Sequence, residues 1–319
     1  MNLLYFIWDA DPVIFSIGEH GIRWYGLLLA VGFLLGYIVL GRIMKKEGYE
    51  QKQTDKFAIY IILGCVIGLR LGHCLFYNPG YYLTNPLEIL KVWEGGLASH
   101  GGAIGILIAI WLFSRRAKMP YFAALDKVVV VVPLAGAFVR VGNFINSEIL
   151  GVPTTLPWGV KFMRNSEDLF NAIDTSNGAC PNLNYQNLSD YLTGACPDLD
   201  ISCLSDYMIA RHPTQLYEAF FYIAMFFVFF LIYSKFAKNR KNGTFLGWFL
   251  IVLFGFRFLI EYTKTEQAEF IWNAPITMGQ LLSIPFIIFG IVLVVRQYWK
   301  KGKADPIANT AKDKIKNNK

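Results

Sequence analysis

Seven apolar stretches, each long enough to cross a bilayer as a helix of about 20 residues, constrain this chain more than any other feature. They run from about Trp24 to Ile43, Phe57 to Tyr77, Gly96 to Phe113, Phe122 to Val141, Pro213 to Phe236, Phe245 to Thr263 and Met278 to Arg296. A chain of 319 residues that is 55% hydrophobic and 16% aromatic is too apolar for an ordinary soluble domain. We therefore expect an all-α polytopic membrane protein with seven transmembrane helices, forming one transmembrane domain over residues 1–319.

Charge then orients the helices. Basic clusters follow spans one, three, five and seven (Arg42, Lys45 and Lys46; Arg115, Arg116 and Lys118; Lys235, Lys238, Arg240 and Lys241; the lysine-rich tail 298–319). The alternate loops are acidic or neutral, with Asp9, Asp11, Glu19, Glu88, Glu94, Glu266 and Glu269. The positive-inside rule puts the N-terminus outside and the C-terminus in the cytoplasm, with a loop region at 151–211 between spans four and five on the outer side. The formal charge of +7 does not argue for nucleic acid, because the basic residues cluster beside apolar segments. MNLLYFIWDADP lacks the basic start and small-residue site of a cleavable signal peptide. No cysteines stand at metal-ligand spacing. Cys180, Cys196 and Cys203 share the outer loop and could support one disulfide or remain free thiols.

The fourth span ends unusually. GAFVRVGNFINSEILG, residues 136–151, puts Arg140, Asn143, Asn146, Ser147 and Glu148 where apolar residues should continue. An arginine at a helix centre in lipid costs roughly 2.5–3.5 kcal/mol, so it must face a partner or a wet cavity. Arg140, Asn143 and Ser147 share one helical face. A second intramembrane arginine, Arg257 in FGFRFLIEYTK, has Glu261 at i+4, a spacing that predicts an ion pair. Two arginines on different helices, each with a carboxylate nearby, suit the clamping of a phosphate. Arg70 is a further charge within a span, between Gly68 and Gly72. The Gly64-Gly68-Gly72 and Gly101-Gly105 series allow close helix approach. His100 lies among glycines in EGGLASHGGAIG, Tyr25 opens span one in WYG, and His212 opens span five in RHPTQLYE.

Taken in order, WYG, GGLASHGG, RVGNFINSEILG, RHPTQLYE and FRFLIEY resemble the prolipoprotein diacylglyceryl transferase family, and the resemblance runs from DPVIFSIG to MGQLLSIP. It implies a monomeric, multi-pass enzyme of the bacterial inner membrane with its active site toward the periplasm. Such an enzyme moves diacylglyceryl from phosphatidylglycerol to the lipobox cysteine of a prolipoprotein signal peptide and releases glycerol phosphate, without metal or organic cofactor. The expected catalytic residues are His100 as base, with Arg140 and Arg257 on the departing phosphate. The expected substrate-binding residues are Arg140, Tyr25, Asn143, Asn146, Glu148, Gly151, Glu261, Arg70 and His212, with Glu148 and Glu261 holding the arginines. Lys264 stands where the family commonly has arginine, Leu253 where some members have tyrosine, and the 151–211 loop is longer than in compact members. The alternative is a lipid or organic-anion transporter using the same intramembrane arginines.

Overall fold

All seven apolar stretches fold as helix, with ends set by local chemistry. The computed structural model describes residues 5–17, 20–91, 96, 98–196, 198–236, 241–265 and 276–299. In chain order, helices are α1 (Trp24–Lys46), α2 (Gln51–Phe76), α3 (Pro79–Thr84), α4 (Ser99–Ala117), α5 (Tyr121–Ile145), α6 (Ser166–Thr175), α7 (Tyr185–Thr193), α8 (Thr214–Phe236), α9 (Thr244–Ile260) and α10 (Met278–Trp299). A capping box starts α2, where Glu50 and Gln53 satisfy each other's backbone N–H groups. Lys118, left-handed at φ 53°, ends α4 just before Pro120.

Among the described residues, six helices are long and apolar enough to cross a membrane: α1, α2, α5, α8, α9 with its 3-10 extension to Thr263, and α10. The expected third span corresponds to α4, which starts at Ser99 rather than Gly96. It is not among the six, and its last turn carries the adjacent arginines Arg115 and Arg116. Glu94, Lys238, Arg240, Glu266, Glu269 and the tail from residue 300 lie outside the described residues.

The contacts define two compact units. One gathers residues within Phe33–Val132, Phe226–Val252 and Ile288–Lys319. Inside it, α2 and α4 touch backbone to backbone. A Cβ added at Gly64 would lie 2.7 Å from the Gly105 carbonyl oxygen, and one at Gly72 would lie 2.7 Å from the Gly101 Cα. The two glycine series therefore face each other, a close approach of the kind their spacing allows. Asp126 accepts the backbone N–H groups of Gly243 at 2.7 Å and Leu246 at 2.8 Å, so it caps the start of α9. Buried Lys127 pairs with Glu47 at 2.9 Å, and Tyr233 donates to the same carboxylate at 2.7 Å.

The other unit gathers residues within Met1–Gly32, Pro133–Met225 and Leu253–Ile287. It departs from a purely helical expectation. Strands β1 (Phe6–Trp8), β4 (Val160–Phe162) and β5 (Ala210–Arg211) form a sheet in the order β1-β4-β5, and β2 (Val13–Ile17) pairs antiparallel with β3 (His20–Arg23). Strands of two to five residues are too short to leave an alternating pattern. The 151–211 segment is a folded module. Leu169, Leu188, Tyr191 and Leu204 form its core, and a Cys180–Cys203 disulfide closes it, leaving Cys196 exposed with a free thiol. Tyr191 donates to Asp9, while Arg164 pairs with Asp9 at 3.2 Å and stacks over the Tyr191 ring. Burial, then the Asp9 carboxylate, raises the Tyr191 pKa, which keeps this hydroxyl a donor.

Candidate phosphate site

Helix α5 ends in a Schellman turn that organises the polar residues after Arg140. Ser147 takes the left-handed conformation (φ 54°), its N–H donates to the Phe144 carbonyl at 3.1 Å, and the Glu148 N–H donates to the Asn143 carbonyl at 2.9 Å. Ile149 is also left-handed (φ 58°), an uncommon state for a β-branched residue. It is held from α8: Thr214 Oγ1 donates to the Ile149 carbonyl at 3.1 Å and Gln215 Nε2 to the Glu148 carbonyl at 2.6 Å. Trp8 completes the brace by donating its indole N–H to the Phe144 carbonyl at 3.1 Å.

The side chains of this turn form a directed chain. Arg140 Nη1 donates to Asn143 Oδ1 at 3.3 Å, and Asn143 Nδ2 donates to Glu148 Oε2 at 3.1 Å. Asn146 Nδ2 donates to the other Glu148 oxygen, also at 3.1 Å. Glu148 is therefore held by two amides rather than by Arg140, which corrects the expected arginine–Glu148 contact. The ion pair of Arg140 is with Glu218 of α8, at 3.0 Å, and the Glu218 side chain is fully buried. The other Glu218 oxygen accepts from Lys264 Nζ at 3.0 Å. One carboxylate is thus shared by two cations from different segments.

Arg257 behaves differently from its spacing. No ion pair joins it to Glu261 among the described residues. The Glu261 carboxylate lies 4.0 Å from Lys264 and packs over Gly279, where an added Cβ would stand 2.5 Å from the carboxyl carbon. The helix changes to a 3-10 turn at Glu261–Thr263, so the i+4 geometry is lost at the position that needed it. Arg257 is half-buried. The Tyr222 hydroxyl lies within electrostatic reach of Arg140, Arg257 and Glu218. Phe221 of α8 stacks on Phe256 of α9 with centroids 3.7 Å apart, which sets these helices side by side at this level.

Tyr25 meets α5 at Gly142, where a Cβ would approach its ring at 2.8 Å. Gly151 is equally restricted, since a Cβ would lie 2.5 Å from the His212 carbonyl oxygen. Residues 151–153 run between two neighbours, bridging Gly151 to Lys264 and Pro153 to Arg211. His212 shares its Nδ1 with the Tyr217 hydroxyl at 3.1 Å. Arg211 makes a buried two-point contact with Asp168, and that carboxylate raises the Arg211 pKa.

Arg140, Asn143, Asn146, Glu148, Gly151, Tyr25, His212, Arg257 and Glu261 all belong to this unit. His100 and Arg70 belong to the other. His100 is exposed in the first turn of α4, 5.1 Å from the Phe76 ring and 6.0 Å from the Tyr77 ring. Arg70 is buried and donates to the carbonyls of Ile89 at 2.9 Å, Glu88 at 2.6 Å and Gly96 at 3.4 Å. Those contacts fasten Glu88, Ile89 and Gly96 to α2.

A sequence model of the prolipoprotein diacylglyceryl transferase family matches residues 12–296. A phosphatidylglycerol–prolipoprotein diacylglyceryl transferase of Tolumonas auensis is 41% identical over 297 residues, covering 93% of this chain and 99% of its own. Those of Porphyromonas gingivalis and Chloroherpeton thalassium are 42% and 37% identical, covering 93% and 91% of this chain and 96% and 93% of their own. The chain belongs to the prolipoprotein diacylglyceryl transferase family. For a member of this transferase family, the sequence reading missed Glu218 as the centre of the charged cluster, along with Gln215 and Tyr222. The signal for Glu218 was present: an ionisable residue inside a span calls for a named partner, and Lys264 had none assigned.

Proposed function

We propose that this protein transfers the diacylglyceryl group of phosphatidylglycerol to the lipobox cysteine thiol of prolipoproteins, with the phosphate held by Arg140 and Arg257. One observation carries the reading: Arg140 is held by Glu218 and Asn143, while Arg257 has no carboxylate partner among the described residues. A guanidinium at membrane depth without an anion is a place for one. The thiol sulfur attacks the glyceryl carbon that carries the phosphate ester. The C–O bond breaks as the C–S thioether forms, and glycerol phosphate leaves with the electron pair. Charge grows on the phosphate, where two cations in a low-dielectric setting, Arg140 held in place by Glu218 and Asn143, lower the barrier.

The thiol proton goes to His100 in this reading. With free pKa values of about 8.5 for a thiol and 6.5 for histidine, full transfer is uphill by roughly 2.7 kcal/mol, so the base is needed in the transition state rather than before it. Asn146 and Glu148 face the headgroup, with Tyr25 orienting it. Lys264 sets the charge of Glu218 and Glu261 rather than forking onto phosphate.

The protein acts as a monomer in the bacterial inner membrane, with α4 as a seventh span, the N-terminus and the 151–211 module outside, and the C-terminus in the cytoplasm. Basic last turns in α1, α4, α8 and α10 support that orientation, and the Cys180–Cys203 disulfide suits an oxidising compartment. The test is purified protein with phosphatidylglycerol and a lipobox peptide, followed by peptide mass. A gain of one diacylglyceryl unit on the cysteine is expected. An unchanged peptide, with phosphatidylglycerol left intact, overturns the reading.

A further inference from the structure

We propose a second phospholipid site, separate from the Arg140 cluster, where the C-terminal end of α1 meets the start of α2. A cleft of about 250 Å³ there is lined by Tyr37, Ile38, Gly41, Arg42, Lys45 and Gln51. Its ligand is the headgroup of an anionic phosphoglyceride.

The cleft has a fixed polar wall. Tyr37 donates its hydroxyl to Asp55 at 2.7 Å, and Gln51 Nε2 donates to Asp55 at 2.7 Å and to the Tyr37 oxygen at 2.9 Å. Those three groups satisfy one another. Arg42 and Lys45 make no ion pair, hydrogen bond or ring contact with any described residue, although both are exposed beside the cleft. Neighbouring cations are used differently: Lys46 donates to the Ser234 carbonyl, Lys127 pairs with Glu47 and Arg116 donates to Tyr60. Against the single charge of Asp55, two uncommitted cations leave the cleft electropositive.

A lipid, rather than a free anion, follows from what continues the cleft. Leu34, Ile38, Arg42 and Lys45 are spaced four, four and three residues apart, so they form one face of α1. Leu34 and Ile38 are 57% and 38% exposed on that face, and Ile59 and Leu63 of α2 are each 54% exposed. An apolar stripe ending in two cations matches acyl chains ending in a phosphate. Depth agrees as well. Lys45 follows Trp24 by 21 residues, about 32 Å of helix, which is close to one hydrocarbon thickness. The headgroup therefore belongs to the leaflet reached by the end of α1, the cytoplasmic one in the orientation proposed above. A free phosphate would gain nothing from the stripe.

The test uses full-length protein stripped of lipid in detergent, with native mass spectrometry counting bound molecules. The probes are dioctanoyl phosphatidylserine, dioctanoyl phosphatidylcholine and inorganic phosphate. The wild type should hold one more phosphatidylserine than the Arg42→Gln/Lys45→Gln variant, whose affinity at this site should be about thirtyfold lower, from two surface charges of about 1 kcal/mol each. Phosphatidylcholine binding should be the same in both proteins. Gly41→Leu, which fills the cleft without altering charge, should lose the same phosphatidylserine and guards against a folding defect of the double variant. Equal phosphatidylserine counts in wild type and both variants overturn the site. Loss of phosphatidylcholine in parallel overturns its charge selectivity, and a variant-sensitive phosphate adduct overturns the commitment to lipid.

Discussion

Glu218 holds two cations with one fully buried carboxylate, so its removal leaves two charges without their counterion. Breaking a buried pair from one side costs about 3–5 kcal/mol. Glu218→Gln should therefore lower the thermal midpoint in detergent as well as turnover, and Lys264→Arg, which keeps the pairing, should lower neither much. Arg140→Lys should keep the protein inserted but reduce transfer by about 10²-fold, the scale for losing one positioned donor to developing charge; a near-normal rate in the peptide-mass assay contradicts the clamp. His100→Gln should slow transfer by roughly 10²-fold or more at neutral pH if a base is needed. Full turnover of that variant would make His100 structural. At this scale the sequence was informative where partners are three residues apart on one helix, as with Arg140 and Asn143. It was misleading for Arg257 and Glu261, because Lys264 and a 3-10 turn capture Glu261. Pairings made between helices, such as Glu218 with Arg140, leave no spacing to read.

The long helices were the legible elements, since bilayer length and basic flanks mark their ends within about six residues, and the glycine series of α2 and α4 marked both as able to pack closely, though not against which partner. At Gly68 an added Cβ would meet the Gly101 carbonyl and lie 2.9 Å from the Gly105 Cα. Backbone cannot move aside as a flexible side chain can. Gly68→Leu should thus destabilise by about 1–3 kcal/mol, the usual range for overpacking, seen as a lower thermal midpoint. Gly80→Ala is the control, because nothing lies within 4 Å of its added Cβ, and it should shift the midpoint little. Strands were not legible. Phe6–Trp8 pairs with Val160–Phe162, and three residues offer no periodicity while their partner is far away in sequence. The left-handed Ser147 and Ile149 were equally hidden, since neither residue type announces that conformation.

Across the whole molecule, the 151–211 module is the part least visible in advance and most open to independent test. Three cysteines left the pairing undecided; in the structure Cys180 and Cys203 are joined over 23 residues. Closing a loop of that size stabilises by about 3 kcal/mol in the chain-entropy view. Cys203→Ser should make the 178–204 region sensitive to limited proteolysis, whereas Cys196→Ser should leave it resistant, with peptide masses under non-reducing conditions as the readout.

The bridges of residues 151–153 to Lys264 on one side and Arg211 on the other bear on how such enzymes can be recombined. A chimera that exchanges the module at its sequence ends, 151 and 211, would cut through this ribbon and separate Gly151 from Lys264 and His212. Junctions placed inward, after Met163 and before Ile209, carry the ribbon and the β4–β5 pairing over intact with the membrane part. The graftable piece is therefore smaller than the loop, and its borders are set by backbone pairing rather than by where hydropathy changes.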